Sequence, residues 1–189
     1  MTELLIRNAE HILTMDDARR ELLGADVLIR DGEIAAIGQD LATTGEILDA
    51  AGCVVTPGLV NTHHHLYQTL TRAVPGGQNA LLFGWLKTLY PIWAKFTPDH
   101  MFVSAQVGLA ELALSGCTLS SDHLYLYPNG TKIDDTIYAA AEIGLRFQPT
   151  RGAMSIGVSG SLIGFTTRLL LLCVGSGSPR VRRFPSARI

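Results

Sequence analysis

The chain has 189 residues, of which 47% are hydrophobic and 17% charged, and a formal net charge of -2. These values are typical of a globular protein and exclude a strongly basic nucleic-acid-binding protein, while no apolar run approaches the ~20 residues that cross a membrane. Three widely spaced cysteines, Cys53, Cys117 and Cys173, together with an N-terminus unlike a signal peptide, predict a cytoplasmic protein without a disulfide framework or cysteine zinc site.

The first 55 residues predict a small β-rich domain. Short β-prone runs at residues 4–6 and 12–14 are followed by strand patterns at residues 25–30 and 33–38. Asp31 and Gly32 lie between the last two and predict a hairpin, because a type I′ turn needs positive φ at both central residues. Short strands separated by turn residues favour a small sandwich or a partial barrel.

The next segment, residues 56–157, predicts strands that alternate with helices. The apolar run 59–65 predicts a buried strand that ends in three histidines, and residues 118–123 and 145–150 predict two more strands. Helices are expected at residues 81–94, from the N-cap Thr97 to Gly116, and from residue 133 to Gly144. This order is typical of a parallel sheet, in which functional groups collect at the C-terminal ends of the strands.

The final segment, residues 158–189, differs from the rest in composition. It contains no Asp, Glu or Lys, and its five arginines are Arg168, Arg180, Arg182, Arg183 and Arg188. Two interpretations are open, a flexible basic tail or a change of reading frame near Gly157. We favour the second, because a stretch rich in Arg, Ser and Pro but without acids is typical of a GC-rich message translated out of frame.

Three consecutive histidines, His63, His64 and His65, carry the chemistry of this sequence. Alternate residues of a strand point to one face, so His63 and His65 would project together and His64 away from them. Two such imidazoles can share one metal ion at about 2.0–2.1 Å each, with zinc expected and iron as the alternative. A chance surface cluster is the competing explanation, which the preceding apolar run and Pro57-Gly58 disfavour.

Residues 55–65, Val-Thr-Pro-Gly-Leu-Val-Asn-Thr-His-His-His, resemble the first-strand signature of the amidohydrolase superfamily. The resemblance covers about residues 1–157. It implies an α/β protein comprising the N-terminal part of a (β/α)8 metal-dependent hydrolase barrel, which is incomplete here and is preceded by a small β-sandwich segment. The expected domains are the sandwich segment at residues 1–55, the first barrel strands and helices at residues 56–157, and the anomalous tail.

His63-x-His65-x-x-Gln68 resembles the deaminase branch that acts on guanine-like rings, especially 8-oxoguanine deaminases and hydroxyatrazine-type aminohydrolases. The resemblance implies hydrolytic deamination of a small amino-substituted heterocycle by metal-activated water. His63 and His65 would bind the metal, and Gln68 would hydrogen-bond the heterocycle; a solvent-exposed helix residue is the alternative for Gln68. His123, at the end of the predicted second strand, is a further substrate-binding candidate or a residue with a purely local hydrogen bond.

The resemblance also implies residues that this chain does not supply: a third metal-binding histidine, a second catalytic histidine, an aspartate and a glutamate. A (β/α)8 barrel needs roughly 250 residues, so we expect the chain alone to be inactive and prone to aggregation, with any homo-oligomer formed by the full-length protein. Alternative functions are a triazine chlorohydrolase, a hydantoinase-like amidohydrolase and a non-enzymatic metal-binding fragment. Core packing is the expected role of Trp85 and Tyr90, with ring stacking as the alternative.

Overall fold

The computed structural model describes residues 2–152 and, beyond them, the backbone of residues 168–173 and 180–183. The chain divides into two compact units, Met1–Pro57 and Gly58–Ile189. Within the described part of the chain, no helix is both long and apolar enough to span a bilayer. The reading-frame prediction concerns the chain after about Gly157, which lies outside the described residues except for the backbone of residues 168–173 and 180–183.

The first unit is a five-stranded sheet. Its strands are β1 (Glu3–Leu13), β2 (Glu21–Arg30), β3 (Glu33–Gly38), β4 (Glu46–Asp49) and β5 (Val54–Val55). The strand order is β3-β2-β1-β4, and β5 also pairs with β1. Antiparallel pairing joins β1, β2 and β3, whereas β4 and β5 run parallel to β1. Small and branched side chains, among them Ala9, Ile12 and Val27, form its core.

The predicted hairpin between β2 and β3 is confirmed, since Asp31 and Gly32 have φ values of 48° and 84°. The β-prone runs at residues 4–6 and 12–14 both belong to β1, with Thr14 just past its end, so they form one strand. The strand is irregular near Asn8, where φ is 62° and the backbone N–H donates to Asp26 Oδ1 at 2.9 Å. Asparagine tolerates this left-handed conformation, so the strand pairing shifts register here without ending.

The second unit alternates strands and helices, as predicted. The elements are β6 (Leu59–Asn61), α1 (Leu82–Trp93), α2 (Pro98–Leu114), β7 (Cys117–Leu124), α3 (Ile133–Ile143) and β8 (Arg146–Arg151). Strands β6, β7 and β8 are parallel. The backbone of β9 (Arg168–Cys173) runs antiparallel to β8, and β10 (Arg180–Arg183) runs antiparallel to β9. The parallel arrangement therefore ends at β8 among the described strands.

The helix boundaries follow from local sequence signals. Thr97 is the N-cap of α2 and Pro98 its first residue, where proline's missing N–H costs nothing because that group has no partner within a helix. Gly116 and Gly144 follow α2 and α3 with φ values of 87° and 77°, a conformation that favours glycine at helix ends.

The first strand of this unit is shorter and more exposed than predicted. β6 ends at Asn61, and the side chains of Leu59 and Val60 are 59% and 57% exposed. The strand lies at the edge of its sheet, where β7 is its partner among the described strands. The prediction of a buried strand over residues 59–65 is therefore wrong, and the three histidines follow the strand in an irregular segment.

A short 3-10 helix, Leu66–Thr71, begins directly after His65 and is anchored from two sides. Leu66 is fully buried in a cluster with residues of α2, α3 and β8, and Tyr67 is fully buried in a second cluster around Trp93. Full burial of a leucine side chain contributes about 1.5–3 kcal/mol. Trp85 and Tyr90 pack against the second cluster, in agreement with a role in the core.

Candidate metal centre

The structure brings the rings of His63 and His65 together although neither lies in a strand. Their ring centroids are 5.2 Å apart and the rings are nearly perpendicular. Two imidazoles that bind one ion at 2.0–2.1 Å with a tetrahedral angle between them have centroids separated by about 5 Å. The ring of His64 lies toward α2, where a Cβ on Gly108 would be 3.7 Å from its Cε1. The spacing of the His63 and His65 rings therefore suits one shared ion.

The ring of His65 is held by the backbone of β7. Its Nδ1 lies 2.8 Å from the carbonyl oxygen of His123. A carbonyl oxygen can only accept a hydrogen bond, so Nδ1 must carry the proton. Nε2 of His65 then has a free lone pair, which is the state that a metal ligand requires. Hydrogen bonds of this kind hold most metal-binding histidines.

The surroundings lower the pKa of two of these imidazoles, those of His65 and His123. Burial lowers the pKa of His65, and His63 lowers it further, while the hydrogen bond to the His123 carbonyl acts in the opposite direction. Burial is also the main cause of the lowered pKa of His123, with smaller contributions from His65 and His63. Because a metal binds the neutral imidazole, the lowered pKa of His65 reduces competition from protons at that candidate ligand.

Gln68 and His123, the two predicted substrate contacts, lie close to this histidine pair. The His123 ring centroid is 5.7 Å from that of His65. The amide nitrogen of Gln68 donates to the hydroxyls of Tyr67 at 3.1 Å and Tyr125 at 3.4 Å. Tyr125 in turn lies 5.3 Å from His65, measured between ring centroids. All four residues predicted from the sequence therefore lie around one site.

Tyr125 was missed by the sequence analysis, although a signal was present. It follows the end of β7, two residues after His123, and alternate residues near a strand end share a side of the sheet. Its ring is 5.7 Å from that of His123 and 5.6 Å from that of Tyr67. Tyr125 thus connects the two predicted substrate contacts.

Asp122 is a second residue that sequence reasoning did not assign. Its side chain is 1% exposed, and its Oδ1 accepts a hydrogen bond from the Leu66 N–H at 2.8 Å. The other carboxylate oxygen, Oδ2, has no hydrogen-bond partner among the described residues. Burial raises the pKa of Asp122 to about 7, against the lowering by the backbone N–H groups of Leu66 and His123. Asp122 shares the buried alternation of β7 with Ser120 and Leu124, which only the structure shows.

A cavity of about 370 Å³ opens beside the histidines, a volume within the range of small-molecule sites. Its lining residues are His63, His64, His65, Gln68, Thr69, Arg72 and Glu111. Both guanidinium NH groups of Arg72 lie 2.6 Å from the carboxylate oxygens of Glu111. His123 is not part of this lining, although its ring centroid lies 5.7 Å from that of His65.

The described residues supply fewer ligands than a catalytic zinc site normally has. Catalytic zinc usually takes three protein ligands and one water. Among residues 2–152, no group of three or more His, Cys, Asp or Glu side chains could hold a metal ion. His63 and His65 therefore form a pair of candidate ligands, one short of that number.

Comparison with known proteins gives these residues a family context. Residues 54–183 match the Amidohydrolase family. The chain is 45% identical over 163 residues to 8-oxoguanine deaminase from Pseudomonas aeruginosa (strain PAO1), a match that covers 83% of this chain and 36% of that protein. It is 36% identical over 172 residues to hydroxydechloroatrazine ethylaminohydrolase from Pseudomonas sp. (strain ADP), covering 82% and 36%.

A solved structure gives the same result. Atrazine chlorohydrolase from Arthrobacter aurescens TC1, complexed with zinc, superposes with a TM-score of 0.78 and 33% identity, covering 85% of this chain and 39% of that one. The chain thus spans only 36% of the length of the two curated relatives named above. Because the family match extends over more than half of its residues, this chain belongs to the amidohydrolase family.

Proposed function

We propose that this chain forms the first metal-binding part of a zinc-dependent hydrolase that deaminates an amino-substituted heterocycle. The observation that carries the proposal is the pair His63 and His65, whose ring centroids lie 5.2 Å apart while Nδ1 of His65 is bonded to a backbone carbonyl. This arrangement leaves Nε2 of His65 able to bind a metal. The zinc in the related atrazine chlorohydrolase supports zinc over iron.

The proposed architecture is the beginning of a (β/α)8 barrel with β6, β7 and β8 as its first three strands, preceded by a β-sandwich segment. Three parallel strands with intervening helices support this architecture. Barrel enzymes place their active sites at the C-terminal ends of the strands. His63 and His65 follow the end of β6, and His123 lies near the end of β7.

In this proposal a bound zinc ion would supply a water molecule with a pKa near 7 as the nucleophile. Gln68 orients the heterocycle. Its amide nitrogen donates to Tyr67 and Tyr125, so its Oε1 would accept a hydrogen bond from a ring N–H. His123, neutral because burial lowers its pKa, would contact the substrate on the side of His65 and Tyr125.

The proposed substrate is a guanine-like ring, and the proposed leaving group is ammonia. The 45% identity to an 8-oxoguanine deaminase supports this choice. A chlorotriazine, from which chloride would leave, is the second candidate because of the superposition on atrazine chlorohydrolase. Because two histidines fall short of the three protein ligands usual for catalytic zinc, we expect no turnover from the chain alone.

Zinc binding by the purified chain tests the metal site directly. Competition with a chromophoric chelator would give the affinity of the wild type, His63→Ala, His65→Ala and, as the matched control, His64→Ala. We expect the first two substitutions to weaken zinc binding by about tenfold or more, because each removes a ligand. His64→Ala should change it by less than about threefold, since its ring lies toward α2. Equal affinities for all three variants would contradict the proposed site.

A chimera tests the reaction. Residues 2–152 would replace the aligned segment of the Pseudomonas aeruginosa 8-oxoguanine deaminase, and ammonia release from 8-oxoguanine and chloride release from atrazine would be measured. We expect ammonia release that is lost in the His63→Ala and His65→Ala chimeras, and a raised KM in the Gln68→Ala chimera. Chloride release without deamination would favour the second candidate, and a folded chimera that does neither would overturn both.

A further inference from the structure

Strand β7 holds the segment around His65 by three hydrogen bonds. The His123 N–H donates to the His64 carbonyl at 2.8 Å, and His65 Nδ1 donates to the His123 carbonyl at 2.8 Å. The Leu66 N–H donates to Asp122 Oδ1, also at 2.8 Å. Hydrogen bonds to β7 therefore hold the residue before His65, the ring of His65 itself and the residue after it.

Asp122 supplies a hydrogen-bond acceptor for the Leu66 N–H, which neighbouring residues in the chain do not provide. Leu66 is the first residue of the 3-10 helix, so its N–H has no acceptor within that helix, and His65 provides no side-chain cap. Leu66 is 0% exposed and Asp122 1% exposed, so solvent does not replace the bond. A buried N–H without a partner costs about 1–3 kcal/mol. The carboxylate of Asp122 therefore acts as a cap supplied by a distant strand.

Only one of the three hydrogen bonds depends on the identity of a β7 side chain. The other two use the backbone of His123, which any residue at that position would supply. If the bond to Asp122 is lost, the packing of Leu66 still holds the 3-10 helix, but the N–H that directly follows His65 loses its directional contact. The imidazole can then turn away from the His123 carbonyl. Asp122, the one β7 side chain in this set of hydrogen bonds, lies 57 positions after His65 in the sequence.

We propose that Asp122 is a positioning residue for the metal ligand His65: by accepting the Leu66 N–H, it keeps the His65 ring on the His123 carbonyl with Nε2 available to the metal. The role toward a metal rests on the proposed function. The effect on the ring itself does not, because it is a property of the metal-free chain. A role in stability alone would leave the protonation pattern of the ring unchanged.

The first test is the tautomer of His65 in the metal-free chain, observed by long-range ¹⁵N–¹H correlation NMR above the pKa of the ring. The wild type and Asp122→Asn should carry the proton on Nδ1, because asparagine retains an oxygen acceptor. Asp122→Ala should shift the population toward the Nε2–H form, which a free imidazole prefers. Asp122→Val fills the space that alanine empties, and it should shift the population in the same way if the alanine variant does not fold.

The control is Thr136→Val, which removes a buried hydroxyl that donates to the Ile133 carbonyl at 2.9 Å within α3. It removes one buried hydrogen bond elsewhere in the same unit, so it should lower stability and leave the His65 tautomer unchanged. Folded Asp122→Ala or Asp122→Val protein with the wild-type tautomer would overturn the proposal. A shift in Asp122→Asn as large as that in Asp122→Ala would overturn it too, since the acceptor would then be irrelevant.

Zinc affinity provides the second test. Asp122→Ala and Asp122→Val should weaken zinc binding tenfold or more, within the roughly 10–100-fold range for residues that orient metal ligands, and Asp122→Asn should stay within about threefold of the wild type. Thr136→Val should not change it. If the wild type binds no zinc, the proposed function fails while the tautomer result still decides the role of Asp122.

Discussion

Gly152 lies directly against the imidazole of His123. A Cβ at position 152 would overlap Nε2 of that ring and would lie 2.8 Å from the Cβ of Tyr125. The Gly152 N–H donates to the Leu124 carbonyl at 2.7 Å, so the backbone cannot move aside without losing a hydrogen bond. Because glycine has no side chain, position 152 leaves room for the His123 ring where it lies.

Gly152→Ala should displace the His123 ring and destabilise the chain by about 1–3 kcal/mol, the usual cost of an overpacked site. Urea denaturation would give the stability, and the ring chemical shifts of His123 would report the displacement. Gly38→Ala is the matched control, because its Cβ would meet Leu41 Cδ2 at an ordinary 3.7 Å. Unchanged His123 shifts in Gly152→Ala would show that the ring has room that the structure does not indicate.

Gly108 in α2 allows the 3-10 helix after the histidines to pack closely. Its Cβ would lie 2.8 Å from Leu66 Cδ2 and 2.9 Å from Thr69 Oγ1, and Leu66 is fully buried and cannot move freely. We expect Gly108→Ala to lower the free energy of unfolding by about 1–3 kcal/mol.

The comparison for Gly108 is Gly84→Ala in α1, where the nearest atom to the new Cβ is Ala80 Cβ at 3.7 Å. Alanine is the better helix former, so this variant should gain up to about 1 kcal/mol. The measurement is the urea midpoint of both variants, followed by circular dichroism. If both substitutions raised the stability, or both lowered it, the result would contradict the close approach of Leu66 to α2.

The buried Asp122 should make stability depend on pH. Its pKa is raised to about 7 in the folded chain from an ordinary value of 3.8, so the folded state binds the proton more tightly than the unfolded state between these values. This contribution to stability is greatest below about pH 4 and is lost as the pH rises toward 7. The three-unit shift corresponds to a loss on the order of 4 kcal/mol.

Asp122→Asn cannot ionise, so the difference in unfolding free energy between it and the wild type isolates this titration. The free energy of unfolding of the variant should rise relative to that of the wild type as the pH is raised from 4 to 8. Any effect of the amide that does not depend on pH adds a constant to this difference and does not change the trend. Urea denaturation at four or five pH values provides the measurement. A difference that does not change with pH would show that the folded chain does not raise the pKa of Asp122.

Trp93 fixes the far end of the 3-10 helix. Its indole N–H donates to Thr71 Oγ1 at 2.9 Å, and its ring contacts Tyr67 edge to face at 5.1 Å between centroids. Trp93→Phe removes the donor in a fully buried place and should cost about 1–3 kcal/mol. Trp85→Phe, on a partly buried ring of the same cluster, should cost less. Unfolding followed by circular dichroism would compare them, and an equal cost would argue against the indole hydrogen bond.

Local sequence signals predicted turns and helix ends in both units. Asp31-Gly32, Thr97-Pro98 and Gly144 each specify a backbone conformation that few other residues adopt, and the structure has a turn or a helix end at each. These signals act over a few residues, so they can be recognised without knowing the fold. The apolar run at residues 59–65 was misjudged for the converse reason, because its burial depends on neighbours that no local pattern supplies.

The candidate site also combines features that the local sequence determines with features that depend on the tertiary structure. The sequence alone determined that His63, His65 and Gln68 occur at a spacing suited to metal and ring binding, because residues close in the chain stay close in space. Only the tertiary structure placed the His123 carbonyl on His65 and Asp122 on Leu66, across about 56–58 residues of chain. Hydrogen bonds between residues so far apart in the chain form when two parallel strands align. The register of those strands is decided by the packing of the helices between them.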